Sequence, residues 1–133
     1  MQDVSIRVDR LDHLVLTVAD VEQSCAFYSR VLGMNAVAFG GGRKALAFGR
    51  QKINLHAHGS EFEPKADRPT SGSADLYFIT DVALTEVVAH LNAEGVAIVE
   101  GPVERTGATG PILSIYFRDP DRNLIEVSNV LAR

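Results

Sequence analysis

The sequence contains little cysteine, few aromatic residues and no excess of positive charge. Among its 133 residues are one cysteine, three tyrosines, six phenylalanines and no tryptophan. A single cysteine cannot form an internal disulfide, which favours a reducing compartment, so we expect a cytoplasmic protein. The net charge is −4, from 13 basic and 17 acidic residues that are interspersed. No basic stripe is visible, and we expect no nucleic-acid partner.

Long hydrophobic runs are also absent. No apolar stretch approaches the roughly 20 residues that span a membrane as a helix. Residues 1–5 lack a basic segment followed by an apolar one, so we expect no signal peptide. A hydrophobic fraction of 46% is nevertheless enough for a substantial core. We therefore predict one domain over residues 1–133, with no membrane partner.

The first half of the chain has the pattern of a strand, a helix and three strands. Leu11–Val18 alternates as a strand. A helix is predicted next, because Asp20 and Gln23 form a capping box and Gly33 is a natural stop. Three strands are then predicted at residues 35–39, 44–48 and 53–58.

The second half has the same pattern after a polar linker, residues 59–73, which contains two prolines and two glycines. A strand is predicted at 75–80 and a helix at 84–94, ended by Gly95. Further strands are predicted at residues 96–99, 113–117 and 124–130. The glycine-rich stretch 101–111 is either a lid or a long hairpin connection.

The two halves form a weak internal repeat. Gly33 and Gly95 are 62 residues apart, and so are His13 and Asp75. The closing strands of the halves align so that His56 corresponds to Glu126. We predict an α+β fold of paired βαβββ modules, at about residues 10–58 and 74–130. Together they are expected to form a curved mixed sheet with a concave cavity.

Four residues that can bind metal occupy equivalent places in the halves: His13, His56, Asp75 and Glu126. Each lies on the strand face opposite the residues expected to pack beneath a helix. Glu126 carries the most weight, because a carboxylate within an apolar strand is costly to bury unless it is paired or binds metal. Two imidazoles and a carboxylate suit a divalent transition metal.

Each of these residues also has a structural interpretation. His13 alone could be a half-buried histidine bonded to backbone. Asp75 could cap the start of its strand, or hold a bound water instead of a metal. His58 has the same strand parity as His56 and competes with it as a ligand.

The opening stretch LDHLVLTVADVEQSCAFYSRVLGM and the closing stretch YFRDPDRNLIEVSN together resemble the vicinal oxygen chelate superfamily. This is the fold of glyoxalases, bleomycin-resistance proteins and extradiol dioxygenases. The segment KINLHAHGSEFEPKA is similar to small glyoxalase-domain proteins. The resemblance implies a divalent metal, a small-molecule substrate and a homodimer. It places metal ligands at His13 and Glu126, at His56 or Asn54 on the fourth strand, and at Asp75 on the fifth.

The resemblance further implies a metal-dependent glyoxalase-like lyase or isomerase. It would act on vicinal oxygens through an enediolate, with Glu126 moving the proton. The metal is Zn, Ni, Mn, Co or Fe, and the substrate is open. The alternatives are an Fe(II) extradiol-type dioxygenase, a thiol transferase acting on a phosphonate, and a non-enzymatic bleomycin-resistance-type binding protein.

The sequence departs from the family pattern at three points. Glyoxalase I enzymes have a glutamate on the fourth strand, where this chain has only Asn54, His56 and His58. They usually have a histidine where this chain has Asp75, and these two differences count against true glyoxalase I activity. Arg122 replaces the glycine of the familiar turn, at a cost of about 1 kcal/mol if that position is left-handed.

Overall fold

The elements follow the predicted order in a computed structural model, which describes residues 5–132. Module 1 consists of β1 (His13–Val18), α1 (Val21–Leu32), β2 (Asn35–Phe39), β3 (Arg43–Phe48) and β4 (Gln51–Ala57). Module 2 consists of β5 (Asp75–Ile79), α2 (Leu84–Ala93), β6 (Ile98–Gly107), β7 (Gly110–Arg118) and β8 (Leu124–Val130). The predicted α+β class with paired βαβββ modules is confirmed. Residues 1–4, on which the expectation about a signal peptide largely rests, lie outside the described residues.

Each module forms its own four-stranded mixed sheet. Sheet A has the strand order β1-β4-β3-β2, and sheet B has the order β5-β8-β7-β6. In both sheets the first strand of the module runs parallel to its last strand, and the remaining pairs are antiparallel. The internal repeat seen in the sequence is therefore a repeat of topology.

The two helices begin in different ways. The side chain of Asp20 caps α1 by accepting a hydrogen bond from the backbone N–H of Gln23 at 3.0 Å, and Gly33 ends the helix with φ 67°. The start of α2 is held by Asn129 of β8, whose Oδ1 accepts from the backbone N–H of Leu84 at 2.8 Å. Among the described residues, neither helix has the length and apolar character needed to cross a membrane.

One core receives side chains from both modules. Leu16 and Leu55 of sheet A, Ile125 and Val127 of sheet B, and Tyr28 of α1 all belong to it. Strand side chains alternate between faces, so the opposite face of each sheet points away from this core. We call these surfaces outer face A and outer face B. Both carry exposed apolar side chains: Val15 and Val37 on face A, and Tyr77, Ile79 and Val130 on face B.

The turn that follows β7 joins the two modules. Asp119 is 4% exposed and accepts four hydrogen bonds. Its Oδ2 accepts from the hydroxyl of Tyr28 at 2.6 Å and from Nδ2 of Asn123 at 2.8 Å. Its Oδ1 accepts from the backbone N–H groups of Asp121 and Asn123, both at 2.9 Å. Because Tyr28 belongs to module 1, this turn holds α1 against module 2.

Two details of this turn bear on the sequence expectations. Arg122 has φ 72°, so it occupies the left-handed position that glycine fills in the familiar motif. Asp121 adds a second link between the modules, since its Oδ1 accepts from the backbone N–H of Ala19 at 2.8 Å. The turn therefore tolerates one strained residue while making two connections to module 1.

Strand β6 is longer than the sequence indicated. It continues through Gly101 and Pro102 to Gly107 and pairs with β7 on both sides of an irregular register between Ile98 and Val103. A Cβ at Gly101 would lie 2.4 Å from the carbonyl oxygen of Ser114, so the close approach of the two strands requires glycine there. Most of the stretch 101–111 is thus a paired hairpin, not a lid.

Candidate functional site

The four predicted ligands are distributed over the two outer faces. His13 and His56 share outer face A, and Asp75 and Glu126 share outer face B. Within residues 5–132, no group of three or more histidine, cysteine, aspartate or glutamate side chains is arranged to hold a metal ion. The predicted set of four therefore does not converge within one chain.

Glu126 is fully buried in the middle of β8, although it lies on outer face B. Its Oε2 accepts a long hydrogen bond of 3.4 Å from Ser128, whose hydroxyl lies 2.6 Å from that of Ser114. Its Oε1 has no hydrogen-bond partner among the described residues. A buried carboxylate oxygen without a donor is costly, so a donor group or a cation placed against Oε1 would stabilise Glu126.

Two tyrosines flank Glu126 in the neighbouring strands, Tyr77 in β5 and Tyr116 in β7. Burial raises the pKa of Tyr116; Arg105, which donates to its hydroxyl from Nε at 3.0 Å, opposes this rise, and Glu126 adds to it. Burial, Asp75 and Glu126 raise the pKa of Tyr77. Both phenols are protonated at neutral pH and can donate hydrogen bonds beside Glu126.

His56 is 7% exposed because the linker folds over it. The ring of Phe62 lies edge-on to the imidazole, with 5.5 Å between ring centroids. The guanidinium carbon of Arg43 lies 4.2 Å from the centroid of the same Phe62 ring. His58, the competing candidate, lies just beyond β4 with a side chain 62% exposed and Nδ1 3.9 Å from Glu61. Of the two histidines, His56 is the one buried on outer face A.

His13 lies at the exposed start of β1. Its Nδ1 is 2.9 Å from Oδ1 of Asp12, and this contact holds the pKa of the Asp12 carboxyl below its usual value. His13 and Asp75 line the same pocket of about 330 Å³, together with Lys52 and Tyr77. The chain therefore brings His13 and Asp75 together where β1 and β5 begin.

The two outer faces carry opposite charge. Strand register places Arg43 and Lys52 on outer face A with the two histidines, and no acidic residue of these strands shares that face. Outer face B carries three acidic residues, Asp75, Glu100 and Glu126, against two bases, Arg105 and Arg118. Opposite charge on two surfaces favours their association.

Sequence reasoning missed four residues of these faces: Arg43, Lys52, Tyr77 and Tyr116. Strand parity was the available signal. Tyr77 is two residues beyond Asp75, and Lys52 is four residues before His56, so each shares the face of a predicted ligand. The tyrosines were overlooked because aromatic residues in strands are most often core residues.

Comparison with known proteins agrees with this fold. The family model for the glyoxalase/bleomycin resistance protein/dioxygenase superfamily matches residues 10–127. Virulence protein STM3117 of Salmonella typhimurium is 60% identical over 127 residues, which are 96% of this chain and 88% of that protein. Its crystal structure has a TM-score of 0.93 to this chain and covers 95% of it, with all of that structure's chain matched.

Two other relatives extend the match. Glyoxalase domain-containing protein RDO1 of Mycosarcoma maydis is 56% identical over 128 residues, which are 96% of this chain and 72% of that protein. The structure of integron cassette protein VCH_CASS1, from the mobile metagenome of V. Cholerae, has a TM-score of 0.94 and 59% identity; 96% of this chain and 100% of that one are covered. The chain belongs to the glyoxalase/bleomycin resistance protein/dioxygenase superfamily.

Proposed function

We propose that this chain is a metal-dependent, glyoxalase-like lyase or isomerase acting on a small molecule with vicinal oxygens. The observation that carries the proposal is the buried Glu126, whose Oε1 has no hydrogen-bond partner in the described part of the chain. A carboxylate in that state is stabilised by a cation or by a proton taken from a substrate. Members of the superfamily generally use divalent metal ions.

The donor set fits a divalent metal in its chemistry, since imidazole and carboxylate together suit transition metals. It fits only if two copies of the chain combine, because one chain does not bring three donors together. We therefore infer a homodimer in which outer face A of one copy faces outer face B of the other. His13 and His56 of one copy then share a site with Glu126 of the second copy, with Asp75 beside it.

Two features of the outer faces support this assembly. Both expose apolar side chains, among them Val15 at 47%, Tyr77 at 56% and Ile79 at 59%. Burial of such surface is the main favourable term in protein association. The faces also differ in charge, which selects face A against face B over either face against itself, whereas the buried apolar surface supplies most of the affinity. Superfamily members often form dimers and bind small molecules.

The roles of the protein groups follow from their chemistry. A bound divalent metal would act as a Lewis acid that polarises a pair of substrate oxygens. Glu126 accepts the substrate proton at its unpartnered Oε1 and returns it, as a general base and then a general acid. Tyr77 and Tyr116 remain protonated and donate hydrogen bonds to negative charge that develops on oxygen beside Glu126. Closure of the two faces excludes water from this step.

A binding protein without catalysis is the second candidate. Aromatic rings occur on both outer faces, where Phe39, Phe62, Tyr77 and Tyr116 offer flat apolar surfaces to a ligand. Such a protein needs no unpartnered carboxylate, which ranks it below the enzyme. The Fe(II) extradiol dioxygenase ranks lower still, because Asp75 stands where those enzymes usually have a histidine.

The same proposal includes the organisation and location of the chain. We propose one domain over residues 1–133, because one core draws on both modules. We also propose a cytoplasmic location, because the single cysteine, Cys25, is a buried thiol whose pKa is raised by burial. Such a thiol is compatible with a reducing compartment.

Metal content and proton exchange test the proposed function together. Protein purified without chelator is assayed for bound metal, and then for exchange of the α-proton of 2-oxoaldehyde–thiol adducts with solvent deuterium. We expect Glu126→Gln to abolish exchange and to lower metal affinity at least about tenfold. Glu86→Gln, which changes an exposed carboxylate on α2, is the matched control.

Other outcomes of this experiment contradict the proposal in different ways. In a parallel assay with catechols and oxygen, ring cleavage with oxygen uptake that is lost in Glu126→Gln would assign the dioxygenase activity instead. Full metal content in both His13→Ala and Glu126→Gln would place the metal elsewhere. Metal-free wild-type protein that binds the adducts without exchange would favour the binding protein.

A further inference from the structure

We infer that the ligand of this site is a small carboxylic acid, held by a cationic shelf on outer face A. The shelf consists of Arg43, Lys52 and Asn54. The inference rests on the proposed function, because the shelf shares its face with His13 and His56. It makes a carboxylate one of the oxygen groups of the substrate. No role in the proposed proton transfer is assigned to these three residues.

The two cations of the shelf lie against aromatic rings. Nζ of Lys52 is 4.1 Å from the ring centroid of Phe39, and the guanidinium carbon of Arg43 is 4.2 Å from that of Phe62. Within residues 5–132, neither cation lies within 4.0 Å of a carboxylate oxygen. An aromatic ring positions a cation without neutralising its charge. Lys52 attracts the carboxyl of Asp12 at longer range and helps to lower its pKa, but neither cation is used in a direct ion pair within residues 5–132.

Comparison with Lys44 shows that the lack of a carboxylate partner depends on the face of the sheet and not on the strand. It follows Arg43 in β3 but points to the other side of the sheet, and its Nζ lies 3.6 Å from Glu22. Arg43 and Lys44 are therefore neighbours in sequence with different surroundings. Only the residue on outer face A lacks a carboxylate partner.

Asn54 provides the second, independent observation. It lies between Lys52 and His56 on β4, opposite Ala45 of β3. Its side chain is 9% exposed, and its Oδ1 is buried without a hydrogen-bond partner in the described part of the chain. An unpartnered buried acceptor needs a donor. A ligand with a carboxylate for the cations and a hydroxyl for Asn54 satisfies all three residues, as a 2-hydroxy acid does.

The charges have one other possible use, which is pairing with the acidic outer face B of a second copy. The two uses differ in what a loss of charge does. If the cations bind a carboxylate ligand, their removal weakens ligand binding and leaves the dimer intact. If they pair with Asp75 or Glu100 of a second copy, their removal dissociates the dimer.

Lactate is the probe, because it carries both a carboxylate and a hydroxyl, and lactamide is its neutral match. Titrations followed by amide chemical shifts are run on wild type and on Lys52→Met, Arg43→Met and Lys44→Met, with light-scattering mass for each. Methionine keeps the apolar length of each side chain over its ring. We expect wild type to bind lactate saturably. The affinity should be roughly tenfold or more weaker when lactamide replaces lactate, and also when Lys52→Met or Arg43→Met binds lactate, as loss of a charge-assisted hydrogen bond predicts. Lys44→Met is expected to bind as wild type does.

The same titration on Glu126→Gln separates this inference from the proposed function. Lactate binding retained in that variant supports the shelf whether or not the protein has metal-dependent activity. The shelf is overturned by an equal loss in Lys44→Met, by a fall in dimer mass in Lys52→Met or Arg43→Met, or by binding of inorganic phosphate without lactate. Equal affinity for lactate and lactamide would overturn it as well.

Discussion

Asp119 and Glu126 are two buried carboxylates in the same closing segment, and their surroundings differ completely. Asp119 is 4% exposed and Glu126 is fully buried. Asp119 accepts four hydrogen bonds, one of them from a tyrosine of the other module. Glu126 accepts one long bond at Oε2 and none at Oε1. Burial alone therefore does not show whether a carboxylate serves the fold; the number of its donors is the better guide.

The physical reason is the cost of an unsatisfied group. A buried carboxylate with its donors in place stabilises the fold, because each charge-assisted hydrogen bond is strong in a low dielectric. A buried carboxylate that lacks donors costs free energy. Glu126 retains that cost in a single chain, and in the proposed site a bound cation or a substrate proton would relieve it.

The largest effect on stability is expected from Asp119→Ala. The substitution leaves the hydroxyl of Tyr28 and three N–H donors without their acceptor, and it removes the hydrogen bond between α1 and the turn of module 2. We expect a loss of about 3 kcal/mol or more in the free energy of unfolding, measured by urea denaturation. Asp67→Ala, at a side chain 99% exposed, is the control and should change stability by less than about 0.5 kcal/mol. A similarly small change for Asp119→Ala would show that the hydrogen bonds of Asp119 do not stabilise the fold.

Tyr28→Phe tests the same turn from module 1. It removes one hydrogen bond to a carboxylate, and we expect a loss of about 2 kcal/mol.

The pH dependence of the wild type follows from the same hydrogen bond. Burial and Asp119 raise the pKa of Tyr28 well above its usual value. The unfolded chain releases this proton near pH 10 while the folded chain keeps it, so stability is present below about pH 10 and falls as pH rises above it. The decline should be shallower in Tyr28→Phe. Equal slopes for the two proteins would contradict the assignment.

Glu126→Gln should have the smallest effect on stability. The substitution preserves the shape of the side chain and removes a buried charge that accepts only one long hydrogen bond. In metal-free protein, we expect the free energy of unfolding to stay within about 1 kcal/mol of wild type or to rise. A loss of the size expected for Asp119→Ala would show that Glu126 also serves the fold.

Local patterns were sufficient to predict most of the fold. The alternation in β8 placed Glu126 on one face and Ile125 on the other, and the start and end of α1 depended on Asp20 and Gly33. Each of these features involves residues close in sequence. The extension of β6 was missed because Gly101 and Pro102 are typical of loops, whereas here they lie within an irregular strand pairing.

The candidate site was predictable only in part. Strand parity identified His13, His56, Asp75 and Glu126 as residues of the faces opposite the helices. It did not indicate that these faces belong to two separate sheets, because sheet arrangement depends on contacts between the modules. The hydrogen bond between Tyr28 and Asp119 joins residues 91 positions apart. The cover of His56 by Phe62 depends on how the linker folds. Neither has a signature in the local sequence.

In the proposed dimer, His13 of one copy and Glu126 of the other act in one site. Mixing the His13→Ala and Glu126→Gln variants tests it most directly, with metal content and proton exchange measured before and after the chains are unfolded and refolded together. Each variant alone has both of its sites damaged. A mixed dimer has one site with both substitutions and one site with none, so we expect metal binding and exchange to return after mixing. A mixture that stays as inactive and metal-poor as the separate variants would contradict it.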